Sequence, residues 1–198
     1  MKVAILDYGA GNLHSLAKAL GRAGTDVTIE TDAQRALRHD ALILPGVGAF
    51  ALAAQSLAPH IGSIHAALST GMPCLGICLG MQLLFDGSEE GEGSGIGIFP
   101  GQVRRLHARR VPQIGWNDLE DQRGDLFAAS GLRTAYFANS FVCEPRDSSC
   151  VSAWATHEED RFVASVEASK VVGVQFHPEK SSDRGIAFID AFLTRVRQ

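Results

Sequence analysis

The chain opens on a short, unbroken apolar run, Val3-Ala4-Ile5-Leu6, closed at once by Asp7. An apolar run this short, without polar alternation, is the pattern of a strand covered on both faces. Asn12 then stands in a capping position ahead of Leu13, Leu16, Ala17 and Leu20, which fall at i, i+3, i+4 and i+7 along one helical stripe. Val27-Thr28-Ile29 and Ala41-Leu42-Ile43-Leu44 read as second and third strands, and a helical stretch ending near Ser69 leads into the apolar run before Cys78. Strand and helix alternate through this half, which predicts a doubly wound, mainly parallel sheet.

The pattern changes after about residue 87. "GSEEGEGSGIGIFPG" is a long glycine-rich loop with neither G-x-G-x-x-G nor Walker order, so no nucleotide cradle is expected. From Gln102 onward the chain reads as β-ribbons: Tyr136-Phe137-Ala138, Val151 to Ala155, Arg161 to Val166 and Val171 to Gln175. A last helix from about Asp183 presents Ile186, Ile189, Leu193 and Val196 along one face, with Phe188 and Phe192 beside it. No internal repeat and no linker interrupts the chain. The expectation is one α/β domain over residues 1–198, with flanking helices and an added antiparallel β portion in the C-terminal half.

Composition narrows the function classes. A net charge of −4 and a pI near 5.9 leave no electrostatic footprint for nucleic acid. The local basic run Arg104-Arg105-Leu106-His107-Ala108-Arg109-Arg110 reads as a solvated edge or loop, or as a contact for an acidic partner or phosphate. No segment approaches the roughly 20 apolar residues that span a bilayer. The first residues reach an acid too early for a signal peptide, so a cytoplasmic protein is expected. Cys74, Cys78, Cys143 and Cys150 form no C-x-x-C pair or finger spacing, so neither metal nor disulfide framework is expected.

Candidate chemistry sits at three strand ends. In Gly76-Ile77-Cys78-Leu79-Gly80 an apolar strand breaks into a glycine-flanked cysteine and turns helical, with the punctuation of a nucleophile elbow. A helix N-terminus lowers a thiol's pKa, and the Leu79 N–H lies where an oxyanion would form. A buried structural cysteine is the ordinary alternative. In Gly173-Val174-Gln175-Phe176-His177-Pro178-Glu179, Pro178 biases His177 to extended backbone. Positions i and i+2 then share a side, so Glu179 can fix the His177 tautomer and leave the other nitrogen for a thiol. A polar turn closing a strand is the ordinary alternative. In Pro45-Gly46-Val47-Gly48 two glycines free a peptide to aim its N–H at a tetrahedral intermediate, or to hold it away. Each piece alone has a plain structural reading; three together at the ligand-collecting edge of one parallel sheet point to acyl transfer.

"LPGVGAF", "CLGICLGMQLLF" and "GVQFHPEKS" resemble the signatures of the class I, triad-type glutamine amidotransferases, in the usual order and across essentially the whole chain. "ILDYGAGNLHSL", "PQIGWN" and "YFANSF" are similar to one branch of that family, the glutaminase subunits of imidazole glycerol phosphate synthases of histidine biosynthesis. The resemblance implies that Cys78 attacks the carboxamide of L-glutamine, His177 moves the proton and Glu179 orients His177. It further implies that Gly48, Gln82 and the backbone of Ser140 and Phe141 hold the glutamine, with an oxyanion hole from the N–H groups of Val47 and Leu79. No cofactor is implied. The chain departs from the branch's usual Y-F-x-H-S-Y stretch, with Asn139 in place of histidine and Phe141 after Ser140.

Free ammonia is mostly protonated near neutral pH, so an enzyme that makes it for synthesis needs a protected route. The chain has no second catalytic constellation and no phosphate loop. The resemblance implies a separate (β/α)8-barrel cyclase subunit as heterodimer partner, which uses the ammonia to form imidazole glycerol phosphate and aminoimidazole carboxamide ribonucleotide. Docking is expected around Asn12, Trp116, Asn117, Tyr136 and Lys180, with Trp116 as an exposed loop anchor. The rival readings are another class I amidotransferase, serving chorismate, a purine ribonucleotide or a sugar; a hydrolase that acts alone on a small substrate; and a binding-only regulator with a decayed site, against which the intact Cys78, His177 and Glu179 argue.

Overall fold

The computed structural model describes residues 1–21 and 24–198. In chain order it contains β1 (Lys2–Leu6), α1 (Leu13–Gly21), β2 (Asp26–Glu30), α2 (Ala33–Ala36), β3 (Ala41–Leu44), α3 (Phe50–Leu57), α4 (Ile61–Ser69), β4 (Cys74–Ile77) and α5 (Leu79–Leu83). The second half adds β5 (Gly87–Ser88), β6 (Gly101–Arg105), β7 (Gln113–Asp118), α6 (Asp125–Ser130), β8 (Thr134–Asn139), β9 (Phe141–Pro145), β10 (Val151–His157), β11 (Asp160–Ala168), β12 (Val171–Val174) and α7 (Ser182–Val196).

Strands β2-β1-β3-β4-β12 run parallel, as the alternation of strands and helices predicts. The sheet continues antiparallel through β11, β9 and β6, with β5 at the edge and β10 paired to β11. The expected antiparallel ribbons are therefore present, with one correction. Val171–Val174 is not a ribbon edge: it pairs antiparallel with β11 on one side and parallel with β4 on the other. The last apolar strand returns to the middle of the first half's sheet, because only there are both faces of Val171-Val172-Gly173-Val174 covered.

Side-chain parity divides the core into two layers. Val3, Ile5, Ala41, Ile43, Leu75, Ile77, Val172 and Val174 pack toward α1, α6 and α7. Ala4, Leu6, Leu42, Leu44, Cys74 and Val171 pack toward α2, α3, α4 and α5. Helix α7 begins where expected, but its buried line is Gly185, Phe188, Ile189, Phe192 and Leu193, while Ile186 and Val196 are only partly buried. The phenylalanines win this face because Phe188 stacks into an aromatic group with Phe127 and Phe176. Asn12 directly precedes α1 but has φ 63°, in the left-handed region rather than the extended backbone of a side-chain N-cap.

The basic run is not a solvated edge at its first residue. Arg104 lies on β6 with its guanidinium mostly covered, making two hydrogen bonds to Asp160 at 2.7 and 2.8 Å. Burial alone would raise the Asp160 pKa; Arg104 and the His107 N–H outweigh it and hold the carboxyl below its ordinary range. No helix of the described residues is long and apolar enough to cross a membrane.

Two loops meet where backbone must touch backbone. A Cβ on Gly80 would lie 2.0 Å from the Leu44 carbonyl oxygen, and one on Gly46 would lie 1.9 Å from that of Ile77. Glycine at these positions lets the loop after β3 lie directly against the turn after β4. Gly80→Ala should therefore cost about 3 kcal/mol despite alanine's better helix propensity, read as a lower urea midpoint. Gly62→Ala, with nothing within 4 Å of the added methyl, should instead gain about 0.5 kcal/mol.

Candidate active site

Strand β4 ends at Ile77, and the next residue turns sharply. Cys78 has φ 50° and ψ −105°, an uncommon conformation for a residue with a side chain, and α5 starts at Leu79. Its N–H donates to the Val174 carbonyl at 2.7 Å and its carbonyl accepts from Gln82 N–H at 3.1 Å. The strained turn is thus held by the neighbouring strand on one side and the helix on the other. The thiol is largely buried, at 7% exposure, and lines a cavity of about 320 Å³.

The adjacent strand delivers the histidine. Three residues beyond Val174 in the chain, His177 is buried, and its Nδ1 lies 2.9 Å from Glu179 Oε1. The proximity is not the i, i+2 spacing of extended chain. His177 is extended, at φ −101° and ψ 95°, but Pro178–Lys180 forms a single tight turn that folds Glu179 back. Three bonds stitch the turn down: His177 N–H to the Tyr136 carbonyl at 2.8 Å, Ser181 Oγ to the His177 carbonyl at 2.6 Å, and Tyr136 N–H to Ser181 Oγ at 2.9 Å. Ser181 is fully buried.

Burial alone would lower the His177 pKa, because it disfavours the charged imidazolium. The side-chain hydrogen bonds with Cys78 and then Glu179 outweigh this and raise it to about 9. With Nδ1 committed to Glu179, the other ring nitrogen faces the sulfur. The remaining thiols are of a different kind. Burial pushes Cys74 and Cys143 well above the ordinary thiol value, and burial followed by the Asp147 charge raises Cys150. All four cysteines are free.

The cavity is also lined by Gly46, Val47, Gly48, Leu79, Gln82, Glu90, Asn139, Ser140, Phe141 and Lys180, so every expected substrate-binding and oxyanion position borders it. Their free groups are narrower than the sequence suggested. The Ser140 carbonyl already accepts from Leu106 N–H at 2.9 Å. The Phe141 carbonyl accepts from Gln82 Nε2 at 3.3 Å and from Asn139 Nδ2 at 3.1 Å. Asn139, which replaces the branch's histidine, thus acts through its side chain on a cavity wall.

Several site residues escaped the sequence reading. Tyr8 is buried behind the elbow and donates its hydroxyl to the Pro45 carbonyl, while Gly11 N–H donates to the Val47 carbonyl at 3.1 Å. The loop after β1 therefore grips the Pro45–Gly48 loop at both ends. Glu90 comes from the glycine-rich segment and accepts from the Phe50 N–H at 2.8 Å, at the start of α3. Glycine is needed there because a Cβ on Gly91 or Gly93 would lie 2.9 or 2.8 Å from the methyl of Ala51 or Ala54. No local motif announces either contact, since each joins segments remote in the chain. Gln175 was legible in principle: strand parity puts it on the same side as His177.

The docking residues scatter more. Trp116 is 55% exposed, but on strand β7 rather than in a loop, directly opposite Tyr136 on β8 with the rings edge-on at 6.3 Å. Lys180 Nζ lies 5.9 Å from the Tyr136 ring centroid, at the cavity mouth. Asn12 is exposed. Asn117 is committed within the fold: its Nδ2 donates to the Thr156 carbonyl at 2.8 Å and its Oδ1 accepts from the Asp118 N–H at 2.8 Å.

The His177 environment predicts a measurable titration. By NMR the imidazole should titrate near pH 9 and fall toward its ordinary value of about 6.5 in Cys78→Ala. Because the folded value lies above the unfolded one, His177 adds stability that is fully present below about pH 6.5 and lost as pH rises through 9. The urea midpoint of the wild type should therefore decline across that window more steeply than that of Cys78→Ala.

Comparison with known proteins places the chain in a family. The family profile "Glutamine amidotransferase class-I" matches residues 4–196. "Imidazole glycerol phosphate synthase subunit HisH" of Acaryochloris marina is 40% identical, covering 98% of this chain and 95% of the relative. The protein of that name from Corynebacterium diphtheriae is 43% identical, covering 93% and 94%. Among solved structures, a crystal structure described as a glutamine amidotransferase superposes with a TM-score of 0.77 at 20% identity over 99% of each chain, a likeness of fold. With the match running nearly end to end, the chain belongs to the class I glutamine amidotransferase family.

Proposed function

We propose that this chain hydrolyses L-glutamine to glutamate and ammonia through a thioester on Cys78, and passes the ammonia to a (β/α)8-barrel cyclase subunit for imidazole glycerol phosphate synthesis. The observation that carries the reading is the meeting of Cys78, His177 and Glu179 at one cavity wall, on a chain about 40% identical to proteins named as subunits of that synthase. The Cys78 thiolate attacks the carboxamide carbon, and the oxyanion forms beside Val47 and Leu79, where their N–H groups stabilise it. An imidazole that keeps its proton to about pH 9 is a general acid at neutral pH. His177 protonates the leaving nitrogen, ammonia departs, and the neutral ring then takes a proton from water as it attacks the thioester. Glutamate leaves, and the thiolate is restored beside the protonated ring. Glu179 holds the ring's tautomer throughout.

Glutamine recognition follows from the groups left unused. Gln82 spends its N–H2 group inside the wall, so its Oε1 is the end available to a substrate donor. Glu90 is the acidic side chain at the cavity and suits the substrate's α-ammonium. Gly48 and the backbone of Ser140 and Phe141 complete the wall.

The docking face rims the same cavity. Among the described residues, the exposed large hydrophobics are Val47, Leu52, Ile114 and Trp116. Val47 lines the active-site cavity and shares a smaller one with Leu52; Trp116 meets Tyr136 edge-on, and the Tyr136 ring underlies Lys180. A partner seated there closes the cavity from solvent and keeps the ammonia in. Asn12 and Asn117 belong to the same proposed face, Asn117 through its backbone, since its amide is occupied.

Two experiments test the reading. In the complex, Cys78→Ala should abolish glutamine-dependent synthesis and leave ammonia-dependent synthesis intact; glutamine-dependent product from the variant would overturn the role of Cys78. Trp116→Ala should weaken the cyclase complex by about 2 kcal/mol, roughly thirtyfold in Kd by calorimetry, because a central aromatic anchor is lost. An unchanged Kd would place the docking face elsewhere.

A further inference from the structure

One buried side chain in the site has no task in the scheme above. Gln175 follows β12, is fully buried, and bridges two residues of the cavity wall. Its Oε1 lies 3.3 Å from Gln82 Nε2, and its Nε2 lies 3.4 Å from Cys78 Sγ. The direction of this chain is set by an acceptor that cannot reverse. The Phe141 carbonyl only accepts, so Gln82 must turn its N–H2 group toward it. The second hydrogen of that group points at Gln175, which has to meet it with oxygen. The Gln175 N–H2 group is thereby left facing the sulfur. Flipping Gln82 would set its oxygen against two other oxygens, and flipping Gln175 would set donor against donor; in a buried site either costs more than the bonds gain.

We propose that Gln175 is a functional residue of the glutaminase site, a hydrogen-bond donor that holds the Cys78 sulfur as an anion in line for attack. It also locks Gln82 so that Oε1 faces the substrate. A bond to an ionised acceptor is stronger than one to a neutral thiol, so the contact favours the reactive form and fixes where it points. The chain from Phe141 through Gln82 and Gln175 to Cys78 also ties substrate contact to nucleophile position. This inference rests on the reading of Cys78 as the nucleophile.

The test is alkylation of the full-length chain by iodoacetamide across neutral to alkaline pH, with the modified thiol located by mass spectrometry. Gln175→Met keeps the volume and removes both polar ends. It should slow Cys78 alkylation about tenfold at neutral pH, displace its pH profile upward, and leave Cys74, Cys143 and Cys150 unchanged. Gln82→Met, which leaves the donor to sulfur in place, should slow it less while raising the KM for glutamine. Gln175→Glu keeps the shape and the acceptor toward Gln82 but sets oxygen against the sulfur, so it should slow neutral-pH alkylation at least as much, which covers a failure of the Met variant to fold. Folded Gln175 variants that alkylate Cys78 at the wild-type rate would overturn the inference with the nucleophile reading intact. A wild-type Cys78 no more reactive than the three other thiols would overturn both.

Discussion

The parallel pairing of β12 with β4 is the contact on which the site depends. Val174 stands opposite Ile77, and one residue further the Cys78 N–H donates to the Val174 carbonyl. Because both strands run the same way, both end at the same edge, where an open α/β sheet collects its ligands. One strand ends in the elbow that presents a thiol; the other runs on into the turn that presents an imidazole and a carboxylate. Nearly a hundred residues of chain separate the two groups, and a single ladder register closes the gap. A slip by one residue would turn Val172 and Val174 to the other layer of the core, so burial of the apolar side chains holds the catalytic geometry.

Around that pairing, polar groups are paired in chains rather than singly. His177 is fixed from behind by Tyr136 and Ser181 and from the side by Glu179. The opposite wall is fixed by Asn139 and Gln82 sharing the Phe141 carbonyl. In a low-dielectric interior an unpaired amide is expensive, so each member of such a network dictates the orientation of the next. The Pro45–Gly48 loop is treated differently. It is held at Pro45 and Val47 by Tyr8 and Gly11, and its glycine lies against the elbow with no room for a side chain. The grip lies at its flanks, which leaves the Gly46–Val47 peptide between two fixed points.

Much of this was legible along the chain, and the failures have identifiable causes. The buried strands announced themselves because a strand covered on both faces needs an uninterrupted apolar run, and the elbow did so because only glycine fits beside it. The basic run misled because Arg104 has its partner, Asp160, on a strand more than fifty residues away. The C-terminal helix showed two possible apolar stripes, and aromatic packing against Phe127 and Phe176 chose between them. Tyr8 and Glu90 carry no local signature, since a tyrosine and a glutamate in a loop are each ordinary until a distant partner is known; Gln175 shares a side with His177 by parity, but its partner Gln82 lies far away in the chain.

The amino-acid order by itself therefore determined the first four strands of the sheet's parallel half, the C-terminal helix, and the residue types able to do acyl-transfer chemistry. These follow from short-range rules: side-chain periodicity, the conformational freedom of glycine and the stiffness of proline. Which of those residues meet, which of their polar atoms are spent inside the wall and which face the cavity were decided only by the tertiary structure. The physical reason is that hydrogen bonds and burial act through space, and a folded sheet makes neighbours of segments that the chain keeps far apart.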